Sequence, residues 1–208
     1  MLGCKEISSV RNKKCKMIMV EKQGQPYILL AYLNRSTVEM EYRTLHMARR
    51  GGLRVPRIIQ MADHEILLEY VEGKTLYEEL ATGPVFKVGL LAKGLAKLLK
   101  DAAALLDGWT VANVDLRSYI VAGTVLYGFD FDCMVTGSYC ETVADAVLSV
   151  FCEPKIPQDR VVSFCRTFVS AAGVDPTELR TAICMMTPIL REKGLLKHTD
   201  QAIESAIL

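Results

Sequence analysis

Over roughly its first seventy residues the chain shows short apolar runs broken by turn residues; beyond them the apolar positions fall into helical periods. Residues 15–33 predict two strands, CKMIMVEK and YILLAYL, joined by a turn at QGQP. Both arms are rich in β-branched, aromatic and long apolar residues, and Gly24 and Pro26 punctuate them. A helix is expected from about Thr37 to Arg50, capped by Ser36, with Glu39 completing a capping box and Gly51-Gly52 as the stop. After Pro56, RIIQMAD and EILLEYV predict a second strand pair with His64 near its turn. A short helix from Thr75 to Ala81 follows, then a long one from about Val85 to Leu106 with apolar residues at Leu90, Leu91, Leu95, Leu98 and Leu99. Two short strands, Tyr119–Val121 and Val125–Phe129, flank Ala122-Gly123-Thr124. The remainder is expected to be helical, at about 141–152, 158–172, 176–193 and 199–206. Antiparallel strands with one inserted helix, then a helical half, describe an α+β chain. The glycine at 73 marks a boundary between a first lobe, 1–72, and a second, 73–208.

Composition narrows the class. The chain has 208 residues, half of them hydrophobic, and a formal net charge of +1, so no global field recommends nucleic acid or an anionic membrane as partner. Seven scattered cysteines, none in a CxxC pair, make a poor disulfide framework and a poor zinc site, and suit a reducing compartment. The polar start lacks the apolar core of a signal peptide, and no run approaches the ~18 apolar residues that span a bilayer. A cytoplasmic location is expected. His46, His64 and His198 are isolated and read as surface or packed histidines.

Four features carry chemistry. Glu41 falls on or beside the inward stripe Val38, Tyr42, Leu45, Ala48, where a carboxylate needs a cationic partner or a way out to water. LLEYVEG (67–73) is a buried strand leaving its sheet, exposing backbone groups that a purine edge can match. In NVDLRSYIV (113–121), Asp115 stands just before a short strand, placed to orient a hydroxyl; as a turn residue Asp needs no further reason to be there. In YGFDFD (127–132), Asp130 and Asp132 end an apolar strand and offer the hard oxygen ligands that Mg²⁺ takes, or else form a solvated turn.

Together these features resemble the protein-kinase-like superfamily, particularly its aminoglycoside phosphotransferase, Bud32 and RIO branches. The resemblance rests on EYRTLHMARRGGLRVPRII (41–59), on the hinge-like LEYVEG, and on the order of the motifs over about residues 5–150. It implies a two-lobed fold, a small antiparallel sheet with one helix and then a mostly helical lobe, that binds ATP and Mg²⁺ or Mn²⁺ between the lobes. Glu41 would be the organising acid, and backbone groups near Glu69 and Val71 would hold adenine. Asp115 would be the catalytic base or hydroxyl-orienting residue, and Asp130 the principal metal ligand. The acceptor implied is a hydroxyl of a small molecule or protein.

The departures are specific. Leu30 or Ala31 stands where the ATP-anchoring lysine belongs, SSVRNKK (8–14) replaces the glycine-rich loop, and Asn113 replaces the usual histidine. Ser118 and Tyr119 occupy the stretch of the metal-binding asparagine. Lys14 and Lys16, sharing one face by period-two alternation, are the candidate substitutes for the lysine, and Asp132 and Ser118 for the asparagine. The alternative function is a pseudokinase, a nucleotide-binding or protein-interaction module. Asp130-Phe131-Asp132 also resembles the D-x-D motif of haloacid-dehalogenase-type hydrolases, but the expected helices after it do not fit that fold.

Overall fold

The structure, a computed structural model, describes residues 5–11, 15–105, 109–112, 114–129, 134–198 and 200–207. The chain divides into two compact units, residues 1–72 with 127–132, and residues 73–126 with 133–208.

The first unit holds β1 (Lys5–Arg11), β2 (Cys15–Lys22), β3 (Gln25–Tyr32), α1 (Arg35–Arg50), β4 (Ile58–Ala62) and β5 (Glu65–Glu69). They form one antiparallel sheet in the order β1-β2-β3-β5-β4. The β2–β3 hairpin closes through Gln23 and Gly24, both at positive φ (54° and 76°), a two-residue turn whose twist matches its strands. In the central strands, Leu29 and Leu67 join a buried cluster with Ile18 and Val20, while the alternate residues Leu30, Ile66 and Leu68 are buried as well. Burial on both faces is why ILL recurs in β3 and β5 without polar alternation.

Helix α1 differs from expectation at its start. Its N-cap is Asn34, not Ser36, and no side-chain cap bond forms there. Starting early places Arg35 one turn before Glu39 (3.0 Å) and within 3.6 Å of Asp63, so Glu39 serves an ion pair instead of a capping box. β1, absent from the expected elements, occupies part of the stretch that replaces a glycine-rich loop and pairs with β2.

The second unit opens with β6 (Lys74–Thr75) and α2 (Leu76–Thr82). Thr75 and Glu78 close a capping box on α2. A 3-10 turn over Val85–Lys87 leads into α3 (Val88–Leu105), then come β7 (Trp109–Val111), a 3-10 turn over Leu116–Ser118, β8 (Tyr119–Ala122), β9 (Val125–Gly128), whose last two residues count with the first unit, and β10 (Met134–Thr136). Four helices finish it: α4 (Tyr139–Phe151), α5 (Gln158–Ala172), α6 (Pro176–Glu192) and α7 (Asp200–Ile207). α3 packs along α5, burying Leu91, Leu95, Leu98 and Leu99 with Phe164, Cys165 and Phe168 in the same core. Leu90, expected on that apolar stripe, is instead 55% exposed. β7 and β10 were not expected, and they pair with each other antiparallel.

Gly73 is fixed by a close approach. A Cβ there would overlap the Val121 carbonyl, with the carbonyl carbon 2.8 Å away, so the chain enters β6 only without a side chain. Among the described residues no helix is long and apolar enough to cross a membrane.

Candidate active site

The stretch from β7 to β8 is held from both sides. Val114 and Leu116 are buried and act as anchors, leaving Asp115 between them with its side chain about half exposed. Asp115 Oδ1 accepts the Arg117 backbone N–H at 2.9 Å, and the Asp115 carbonyl accepts the Ser118 N–H at 2.9 Å, which closes the 3-10 turn. The same Oδ1 lies 3.5 Å from Arg117 Nη1. Oδ2 makes no hydrogen bond among the described residues.

Arg117 is itself clamped. Its guanidinium forms a two-pronged ion pair with Glu153, Nη2 to Oε2 at 2.9 Å and Nη1 to Oε1, and lies 4.0 Å above the Tyr77 ring. The hydrogen bonds that it donates to Glu153, followed by the nearby charges of Glu153 and Asp115, push the guanidinium above its ordinary range against the opposing effect of burial. Arg117 is thus a fixed cation beside Asp115.

Helix α4 supplies the other support. Asp145 Oδ2 accepts the Val114 backbone N–H at 2.5 Å. Thr142, one turn earlier on the same face, donates its hydroxyl to the Val111 carbonyl at 3.0 Å and meets the Thr110 hydroxyl. A cavity of about 230 Å³ opens among β7, α4 and α6. Among the described residues its lining includes Glu141, Asp145, Met185 and Met186 and no cationic residue.

In the first unit Glu41 is fully buried on α1. Lys16 stands across from Ala31, one of the two positions where a lysine was expected, but its Nζ is 3.3 Å from Glu6. Leu30, the other position, is buried. Glu69 uses both its backbone and its carboxylate on Arg57: its N–H donates to the Arg57 carbonyl, and Oε1 accepts the Arg57 N–H, each at 2.9 Å. The N–H and C=O of Val71, two residues on, make no hydrogen bond among the described residues. Lys14, Asn113, Asp130 and Asp132 lie outside the described residues. Ser118 is half-buried in the 3-10 turn. Among the described residues no group of three or more His, Cys, Asp or Glu side chains is placed to hold a metal.

No protein-family model matches the chain, and no curated protein does. Solved structures do. The streptomycin–ATP ternary complex of APH(2'')-IIa matches with a TM-score of 0.65 and 10% identity, over 98% of this chain and 89% of that one. The macrolide 2'-phosphotransferase MphH of Brachybacterium faecium matches at 0.62 and 12%, over 99% and 93%. Plasmodium vivax ethanolamine kinase matches at 0.57 and 11%, over 96% and 79%. The chain has the protein-kinase-like phosphotransferase fold.

Within the kinase-like chain, the support of the Asp115 loop is what the sequence reading missed. Glu153, Thr142 and Asp145 were not among its candidates. A signal for two of them was present: Thr142 and Asp145 are polar residues set among Cys140, Val143, Ala144, Ala146 and Val147 of an otherwise buried helix, where a polar group is kept only with a partner.

Proposed function

We propose that the chain is an ATP-dependent phosphotransferase that moves the γ-phosphate to a hydroxyl of a small molecule. The observation that carries this reading is the division of labour on Asp115. Oδ1 is held by Arg117, while Oδ2 is left open on a half-exposed side chain, so one oxygen fixes the carboxylate and the other is available to accept a hydroxyl proton. Val71, with an open N–H and C=O just past β5, fits the edge of adenine. Glu41, with Lys14 or Lys16, is assigned to the nucleotide phosphates, and Asp130, with Asp132 and Ser118, to the metal. Bound Mg²⁺ would neutralise charge developing on the phosphates.

The cavity beside the loop supports a cationic acceptor. Among the described residues Glu141 and Asp145 line it without a basic residue, and Met185 and Met186 offer an apolar wall, a combination suited to an amine on a carbon framework. This chain's relatives in fold include proteins solved with streptomycin and with gentamicin, and an ethanolamine kinase.

The pseudokinase reading keeps one specific support: Leu30 and Ala31 where the lysine belongs, with Lys16 engaged by Glu6. Two measurements separate the readings. Thermal unfolding with ATP and Mg²⁺ or Mn²⁺ should show a shift, since ligand at ~100 times its dissociation constant adds about 2.7 kcal/mol. Transfer of labelled phosphate to streptomycin, gentamicin or ethanolamine should be seen with the native chain and lost in Asp115→Asn. A nucleotide shift without transfer to any acceptor, small molecule or protein, favours the pseudokinase, and no shift removes the nucleotide altogether.

A further inference from the structure

The net charge of +1 averages over an uneven distribution. Residues 84–105 carry Lys87, Lys93, Lys97 and Lys100 against a single acid, Asp101. The segment begins with apolar residues that fold without cover: Val85 is 61%, Phe86 76% and Leu90 55% exposed. A phenylalanine so open touches little of its own chain, and three large apolar side chains in six residues exceed the scattered exposure that needs no explanation.

Helical geometry joins the two features. Leu90, Lys93, Lys97 and Lys100 recur at three- and four-residue spacing, so they run along one outer stripe of α3. The opposite stripe, Leu91, Leu95, Leu98 and Leu99, is the one buried in the core. Because helical side chains lean toward the N-terminus, Leu90 leans toward the 3-10 turn that carries Val85 and Phe86. The outer surface of α3 is therefore an apolar tip continued by a row of lysines. Nearby acids leave most of the row uncompensated: Glu79 pairs with the less exposed Lys87, and Asp101 pairs with Lys97, whose side chain remains 78% exposed. Lys93 and Lys100 are exposed and make no ion pair among the described residues.

We propose that this face docks on an anionic lipid bilayer, with Val85, Phe86 and Leu90 entering the headgroup boundary and Lys93, Lys97 and Lys100 lying against the anionic headgroups. The choice of a bilayer over an acidic protein follows from the residues. Lysines on long stems contact a diffuse anionic plane without fixed geometry, whereas planar, two-pronged recognition of carboxylates is the province of arginine. A small apolar tip flanked by lysines is the arrangement of surface-bound helices. The association is peripheral and independent of the proposed phosphotransferase site.

The test is co-sedimentation of the full chain with phosphatidylcholine vesicles and with vesicles of phosphatidylcholine and phosphatidylglycerol. Binding is expected only to the anionic vesicles and should weaken as salt is raised. Lys93→Ala with Lys100→Ala should lower partitioning about five-fold per lysine, or roughly thirty-fold together. Val85→Ser with Phe86→Ser should also release the chain while its melting temperature stays unchanged. The proposal is overturned if the native chain stays in the supernatant with both vesicles, binds both equally, or keeps its binding in both double variants. A protein partner at this face would give the first of those results.

Discussion

The support beneath Asp115 can be weighed by removing Asp145. Its carboxylate accepts the N–H of Val114, a residue only 2% exposed, so no water stands ready to replace it. A hydrogen bond to a charged group contributes about 1.5–3 kcal/mol, and stranding a buried donor costs a similar amount. For a chain of this length each kcal/mol corresponds to roughly 2–4 °C, so Asp145→Ala should melt about 3–12 °C below the native chain. Asp145→Asn keeps an oxygen at the acceptor position without the charge, and a neutral bond is about half as strong, so it should recover about half of the loss. Thr142 still holds the Val111 carbonyl in both variants, so the loop should be displaced at Val114 and Asp115 without the unit unfolding. In the phosphate-transfer assay the alanine variant should lose kcat while the ATP-induced thermal shift is kept. The reasoning is refuted if Asp145→Ala melts with the native chain, or if asparagine is no better than alanine there.

Other substitutions probe separate contacts. Gly73→Ala forces a Cβ onto the Val121 carbonyl and should cost about 1–3 kcal/mol, read as the urea midpoint. Arg117→Ala should lose about 1–3 kcal/mol with the Glu153 pair, and Arg117→Lys should recover less than half of it, because one ammonium cannot make both bonds and stack on Tyr77; equal stability of the lysine variant and the native chain would count against the clamp. Burial, helped by Asp101, pushes the Tyr139 phenol up to about 12. A pKa raised on folding means stability fully present below the unfolded value of about 10 and lost as pH climbs from there through 12. Tyr139→Phe should therefore lose less stability than the native chain across that window in urea melts, and parallel curves would contradict this.

Local periodicity exposed most of the fold because most of its elements bury one defined face. The strands of 15–33 and 57–70, and helices α2 to α7, each announce themselves within their own residues. What it did not expose is non-local. β7 and β10 are three residues each and exist as strands only because Trp109–Val111 meets Met134–Thr136 across more than twenty intervening residues. The start of α1 lies at Asn34 and not at Ser36, both good caps by type, and the earlier start gives Arg35 its ion pairs with Glu39 and Asp63. Leu90 failed for the opposite reason: its apolar character was legible, but it lies on the face opposite the core and is more than half exposed.

The site was legible as residue types and not as roles. An aspartate before a short strand serves equally well as a turn cap or as an orienting group, and the sequence offers no means of choosing. In the structure the two oxygens have different surroundings. Capping consumes Oδ1, through the Arg117 N–H, and the guanidinium approaches that same atom, so holding the carboxylate in place leaves Oδ2 open. Neither Arg117 nor Val114 could hold that geometry alone. Arg117 is fixed by Glu153, thirty-six residues later in the chain, and Val114 by Asp145, thirty-one residues later. Both come from the region of α4, so the helix that looked like plain core is what holds the turn at Asp115 in place.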